Sequence, residues 1–242
     1  MSYMKDRKTR WEPTMNPVVA TKVLTDFLKK YRSMYSEKDK EDLDKNLIKF
    51  LSSYWAPMEF FQIYSHLGLF KDEDNIYYGY YKKLAELFDI NCNVLDVASG
   101  YLPAFGEIVA RKQMELPNAK GMITVCDPAI ILAGETNGNM RIVRDKFDSN
   151  YDVSKYDLIT GIMPCATTWD IIKCACENNK DFFIGLCGCP PEGYSFEDGE
   201  TFLTKNIEYA KKMCAEYGRE YNQTQLDPEF IVKMPVIYSK KR

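Results

Sequence analysis

The chain has 242 residues, of which 45% are apolar and 28% charged, the composition of a globular protein long enough for one large domain or a domain with a substantial appendage. A net charge of −3 and a pI near 5.4 argue against broad electrostatic binding to nucleic acid. No run approaches the ~18 apolar residues of a membrane span, the polar first ten residues lack the apolar core of a signal peptide, and the eight cysteines then read as reduced thiols, so a cytoplasmic protein without membrane association is expected.

Residues 17–89 carry helical periodicity. Val19, Val23, Phe27 and Tyr31 recur every fourth residue, and Leu43, Leu47, Phe50 and Tyr54 follow Ser36, an expected N-cap. Pro57 suits the first turn of a third helix bearing Phe60, Phe61, Tyr64 and Leu67, and a fourth carries Ile76, Tyr80, Leu84 and Phe88. The polar break at 89–93 marks a boundary, giving an expected helical cap segment over 1–89 and a second domain over 90–242.

From residue 94 short apolar runs alternate with helices, the pattern of a parallel sheet with crossover connections. Val94, Leu95 and Val97 form a strand broken by Ser99 and Gly100, and Pro103 opens a helix with Phe105, Ile108 and Val109 on its apolar side. A helix N-terminus behind a glycine turn presents backbone N–H groups to a ligand, and Asp96 stands at the strand's carboxyl end, where ligands bind in such sheets. Further strands are expected over 122–126, ending in Asp127 with Pro128 starting a short helix, over 141–143, ending near Asp145, and over 157–162 and 182–187. Helices are expected over 168–177 and 200–217, the latter closed by Gly218, and two extended runs finish the chain.

The 94–103 stretch resembles the first motif of the class I S-adenosylmethionine (SAM)-dependent methyltransferases, apolar-apolar-acid-x-Gly-x-Gly-x-Gly. Gly100 keeps the middle glycine, and Ala98 and Leu102 stand where the outer two belong. The Asp-x-Ala-x-Gly-x-x-Pro variant of the aminoglycoside-resistance ribosomal RNA methyltransferases is similar, matched by Asp96, Ala98, Gly100 and Pro103. The resemblance covers about residues 90–242 and implies a Rossmann-like class I methyltransferase sheet of seven strands, the last antiparallel, preceded here by the N-terminal helical segment.

It also implies SAM as cofactor and a set of roles. Asp96, Ala98 and Gly100 would form the cofactor loop, Asp127 would take the ribose hydroxyls, and Asp145 and Phe147 would meet the adenine, with Met163 beside the cofactor. Asp127 follows Asp96 by 31 residues, more than the ~20 usual in dinucleotide folds, and the long connection over 112–121 accommodates the excess. Residues after the fourth strand, Pro164, Cys165 and Thr168, are placed to meet the methyl acceptor. Pro164-Cys165 also matches the Pro-Cys nucleophile of cytosine-C5 methyltransferases, without the companion acid after the fifth strand, which reads Leu186-Cys187-Gly188-Cys189.

Two cysteines two apart on a helix point about 200° away from each other, so Cys174 and Cys176 are not expected to share a metal, and no metal site is expected. His66, the one histidine, is a weak general-base candidate among aromatic neighbours, as is Cys165 for nucleophile. Adjacent aromatics cannot all face one core, which puts Trp55 and Tyr78 forward as lining an acceptor pocket closed by the helical segment. The expected activity is methyl transfer to a small molecule, with RNA as the alternative acceptor and a non-catalytic SAM-binding module or a protein binding another nucleotide as the alternative classes.

Overall fold

The computed structural model describes residues 62, 65, 76–100, 102–130, 134, 136–187, 201–226 and 235–241. Of the first three expected helices only Gln62 and Ser65, in the third, are described, both helical, and Trp55 and His66 lie outside the described residues. The chain divides into two compact units, Met1–Lys71 and Asp72–Arg242, and the elements that follow belong to the second. In order they are α1 (Ile76–Leu87), β1 (Val94–Val97), α2 (Ala104–Met114), β2 (Ile123–Cys126), β3 (Thr136–Asn137), β4 (Met140–Val143), β5 (Leu158–Ile162), a 3-10 turn (Cys165–Thr167), α3 (Thr168–Glu177), β6 (Asp181–Gly185), α4 (Phe202–Glu216), β7 (Asn222–Gln225) and β8 (Pro235–Ser239).

The strands form one sheet in the order β3-β4-β2-β1-β5-β6-β8-β7. β1 pairs parallel with β2 and β5, β2 with β4, and β5 with β6, whereas β8 runs antiparallel between β6 and β7. Without the two-residue β3, this is the doubly wound seven-stranded sheet with an antiparallel last strand that the methyltransferase resemblance implies. Among the described residues no helix is long and apolar enough to cross a membrane.

β1, β2 and β5 are buried along their whole length, as strands are when helices cover both faces of a parallel sheet. On one face Leu95, Val97, Ile159, Phe182 and Ile184 pack against Ile171, Ile172 and Ala175 of α3 and Ala210, Met213 and Cys214 of α4. α1 packs on the sheet. Its Tyr80 and Leu84 are fully buried, and Phe88 just beyond it meets Phe183 and Tyr238 edge-on at 6.4 and 5.9 Å between ring centroids.

The ends of the elements follow local chemistry. Thr201, extended at φ −125°, caps α4 by accepting from the Thr204 N–H at 3.2 Å, and the Gly218 and Arg219 amides return to the carbonyls of Ala215 and Cys214. The short helix expected at Pro128 is instead a turn. Asp127 accepts from the Ala129 N–H through its side chain and from the Ile130 N–H through its carbonyl, which satisfies the backbone without a helix. β3 had no signal beyond the Asn137-Gly138-Asn139 turn that joins it to β4.

Candidate active site

The carboxyl ends of β1 and β2 bring Asp96 and Asp127 together around one loop. Asp96 is 1% exposed; its Oδ1 accepts from Thr160 Oγ1 on β5 at 3.0 Å, and its Oδ2 accepts from Ser99 Oγ at 2.6 Å. Asp127, also buried, accepts from the Gly100 N–H at 2.8 Å through Oδ2 and from the Ala129 N–H at 2.7 Å through Oδ1. The Asp127 carboxylate thus ties the first loop to the end of β2. Sequence reasoning missed Ser99 and Thr160; the signal available for Ser99 was its place three residues after the acid, within reach of its own loop.

Burial pushes the Asp96 carboxyl up to about 7; the Ser99 and Thr160 hydroxyls oppose the rise, and the Asp127 charge adds to it. Asp127 is raised as well, by burial first, with the Ala129 and Gly100 amides pulling the other way. Among the described residues no basic side chain pairs with either carboxylate. Two desolvated acids without a cation between them form a site suited to a cationic or hydroxyl-bearing ligand.

The loop itself is shaped by sterics. Gly100 has φ 77°, and Ala98 has φ 58° although it carries a Cβ, a left-handed conformation that costs roughly 1–2 kcal/mol for such a residue. Leu102, in the place of the third motif glycine, is 1% exposed and part of the core. The close helix–strand packing that such a glycine permits comes from Gly106 instead: a Cβ there would stand 2.3 Å from Val125 Cγ2 and 3.8 Å from Asp96 Oδ2. α2 therefore lies directly on β2, with its N-terminus beside Asp96.

Of the two residues expected at adenine, Asp145 is exposed and caps its own turn by accepting from the Lys146 N–H at 2.8 Å. Phe147 is 4% exposed, its ring 5.2 Å from that of Tyr151 within the core that holds Leu95, Val97 and Cys126.

At the end of β5, Met163 is half-buried with φ 56°, and its N–H donates to the Gly185 carbonyl at 2.7 Å. Pro164 is buried, its Cγ 3.1 Å from where a Gly161 Cβ would stand. Thr168 is fully buried and donates its hydroxyl to the Cys165 carbonyl at 2.8 Å. Pro164 and Thr168 therefore shape the turn into α3, and Met163 and the half-buried Cys165 stand beside them at the strand end.

Tyr78 does not stand over the strand ends. It packs on Tyr81 at 5.6 Å, with Lys112 Nζ 5.9 Å from its ring, and Lys112 is in the last turn of α2, roughly 12 Å along the helix from the site at its start. Tyr78 thus takes part in a contact between α1 and α2. The cysteines of α3 diverge: Cys174 Sγ donates to the Tyr151 carbonyl at 3.7 Å, and Cys176 is hydrogen-bonded to Cys214 of α4. Among the described residues no cluster of three or more metal-ligating side chains is found.

No family model matches the chain, and no curated protein matches it. Solved structures similar to it include a SAM-dependent O-methyltransferase from Thermotoga maritima, with 13% identity and a TM-score of 0.45 over 66% of this chain and 63% of that one. Another is the fibrillarin pre-rRNA processing protein of Methanococcus jannaschii, with 12% identity and a TM-score of 0.46 over 71% and 76% of the two chains. A TehB-like SAM-dependent methyltransferase from Corynebacterium glutamicum has 16% identity and a TM-score of 0.41 over 68% and 88%. Likenesses of this depth assign neither a ligand nor an activity.

Proposed function

We propose that the chain is a SAM-dependent methyltransferase whose cofactor lies across the carboxyl ends of β1 and β2. The observation that carries this is the pair of buried acids, Asp96 and Asp127, joined through the Gly100 amide in a sheet of this strand order. Each Asp127 oxygen accepts one backbone amide and keeps a lone pair, so both ribose hydroxyls can still donate to it. Asp96 lies beside the start of α2, where no basic side chain among the described residues pairs with it, which suits the cationic methionine end. The residues fit those two ends of SAM, and Asp145 and Phe147 are carried forward from the sequence for the adenine end.

When bound, SAM supplies a methyl group activated by its sulfonium. Transfer of this kind depends chiefly on holding donor and acceptor in line. The chain's part is then to fix the donor through Asp96, Gly100 and Asp127 and to offer the acceptor the surface around Met163 and Cys165. Trp55, and His66 as a general base, are carried forward from the sequence as acceptor-side candidates.

The acceptor we favour is a small molecule, supported by the net charge of −3 and the pI near 5.4. RNA is the second reading, favoured by the Asp96, Ala98, Gly100 and Pro103 variant of the first motif. The test is an acceptor screen with methyl-labelled SAM, metabolite extract beside total RNA. Label entering the metabolite fraction alone supports the first reading, label in RNA replaces it with the second, and label in neither while SAM binds leaves a non-catalytic module.

A further inference from the structure

Two thiols meet at the carboxyl ends of β5 and β6. The turn after β5 is tightly folded: Met163 and Cys165 lie at φ 56° and 49°, a region that residues with a Cβ seldom occupy. Pro164 is folded back onto Gly161, and the Met163 N–H is anchored on the Gly185 carbonyl. This carries Cys165 across to the neighbouring strand end, with its Sγ 3.4 Å from that of Cys187. Cys187 is 1% exposed and Cys165 half-buried, so Cys165 is the more accessible residue of the two.

Tyr80 of α1 packs on the same end of β6. Its ring rests on Gly185, where a Cβ would come within 2.4 Å of Tyr80 Cε1, and its hydroxyl is fully buried without a hydrogen-bond partner. Burial raises the phenol's pKa above its ordinary value, and the charge of a Cys187 thiolate adds to the rise.

We propose that Cys165 and Cys187 are a dithiol modification site that closes to a reversible disulfide on reaction with a small-molecule disulfide. Cys165 loses its proton to solvent and its thiolate attacks one sulfur of the reagent, breaking that S–S bond and expelling the other half as a thiolate. Cys187 then gives up its proton and attacks Cys165 Sγ, expelling the second half as a thiol. Two protein thiols are oxidised by two electrons to one disulfide, and the reagent is reduced to two thiols. The sulfurs have only to close from 3.4 Å to the ~2 Å of a bond. Cys176 and Cys214 also touch, but both are buried between α3 and α4, and no reagent reaches the first sulfur.

Closure tethers the 163–165 turn to the end of β6. On the methyltransferase reading, on which this consequence rests, it withdraws Met163 and Cys165 from the acceptor and lowers turnover several-fold, with recovery in dithiothreitol.

The test uses the full chain, reduced and desalted, then treated with oxidised glutathione, alkylated and digested with trypsin. The expected product is a linked pair of peptides, one bearing Cys165 and the other Cys187. Cys189 shares the second peptide, so the link should persist in Cys189→Ser and vanish in Cys187→Ser. Recovery of Cys165 only as an alkylated thiol or a stable glutathione adduct overturns the proposal, as does a link that survives in Cys187→Ser. Methyl transfer is read in parallel on the acceptor that the screen identifies: oxidation should inhibit the wild type, and a cross-linked protein with full turnover overturns the regulatory part. Failure of the reduced protein to transfer a methyl group sinks the methyltransferase reading instead and leaves the peptide map to judge the dithiol.

Discussion

Asp96→Asn separates what the fold needs from what the ligand needs. The carboxyl is 1% exposed and raised by burial from 3.8 to about 7, so the folded chain holds a proton there that the unfolded chain has released. Because the native state binds more protons across that interval, stability falls as pH rises from about 4 through about 7 and is level above it. At about 1.4 kcal/mol per pKa unit, the full loss is about 4 kcal/mol as an upper bound.

Asparagine keeps the shape of the protonated acid. Either the Ser99 or the Thr160 hydroxyl goes on donating to its oxygen, while the other accepts from its amide. In denaturant titrations of ligand-free protein from about pH 5 to about pH 9, the wild type should lose more stability than the variant up to about pH 7 and run parallel to it above. At the alkaline end Asp96→Asn should be the more stable protein, and it should bind SAM more weakly because the charge facing the cationic ligand is gone. pH profiles parallel over the whole range for the two proteins would refute the reasoning, since the raised carboxyl would then have no energetic consequence.

Asp127→Ala should weaken SAM binding by about 1.5–3 kcal/mol through loss of charged hydrogen bonds; unchanged affinity in calorimetry sinks the ribose assignment. Gly106→Ala places a Cβ 2.3 Å from Val125 Cγ2 and should cost about 1–3 kcal/mol, read as a Tm lower by about 2–4 °C for each kcal/mol; a Tm equal to wild type would show that α2 does not lie directly on β2. Arg219 is 7% exposed and donates to Ser239 Oγ, the Ser239 carbonyl and the Ala175 carbonyl. Arg219→Met should cost at least about 2 kcal/mol in urea unfolding by orphaning those acceptors, and a wild-type midpoint would show that water replaces them.

The strands of this sheet were legible because buried parallel strands are short apolar runs between breakers, as Leu95-Asp96-Val97-Ala98-Ser99-Gly100 shows. The acids at the strand ends were legible for the same reason, as polar residues closing apolar runs. What the sequence hid is contact between distant residues. Thr160 reaches Asp96 across 64 positions, and Cys165 meets Cys187 across 22, pairings that depend on strand register and on a turn with positive φ. The burial of Phe147 beside Tyr151 and the strands beneath was likewise hidden, as was the contact of Tyr78 with Lys112 of α2. The two-residue β3 was beyond any periodicity, since two residues carry no pattern.

The central claim is that the loop between Asp96 and Asp127 holds SAM, and the most direct test is calorimetric titration of the purified full chain with SAM beside an identical titration with NAD. A saturable heat with SAM, lost or much weakened in Asp127→Ala, and none with NAD is the predicted result. Saturable binding of NAD, or no heat from SAM in folded protein, would contradict it.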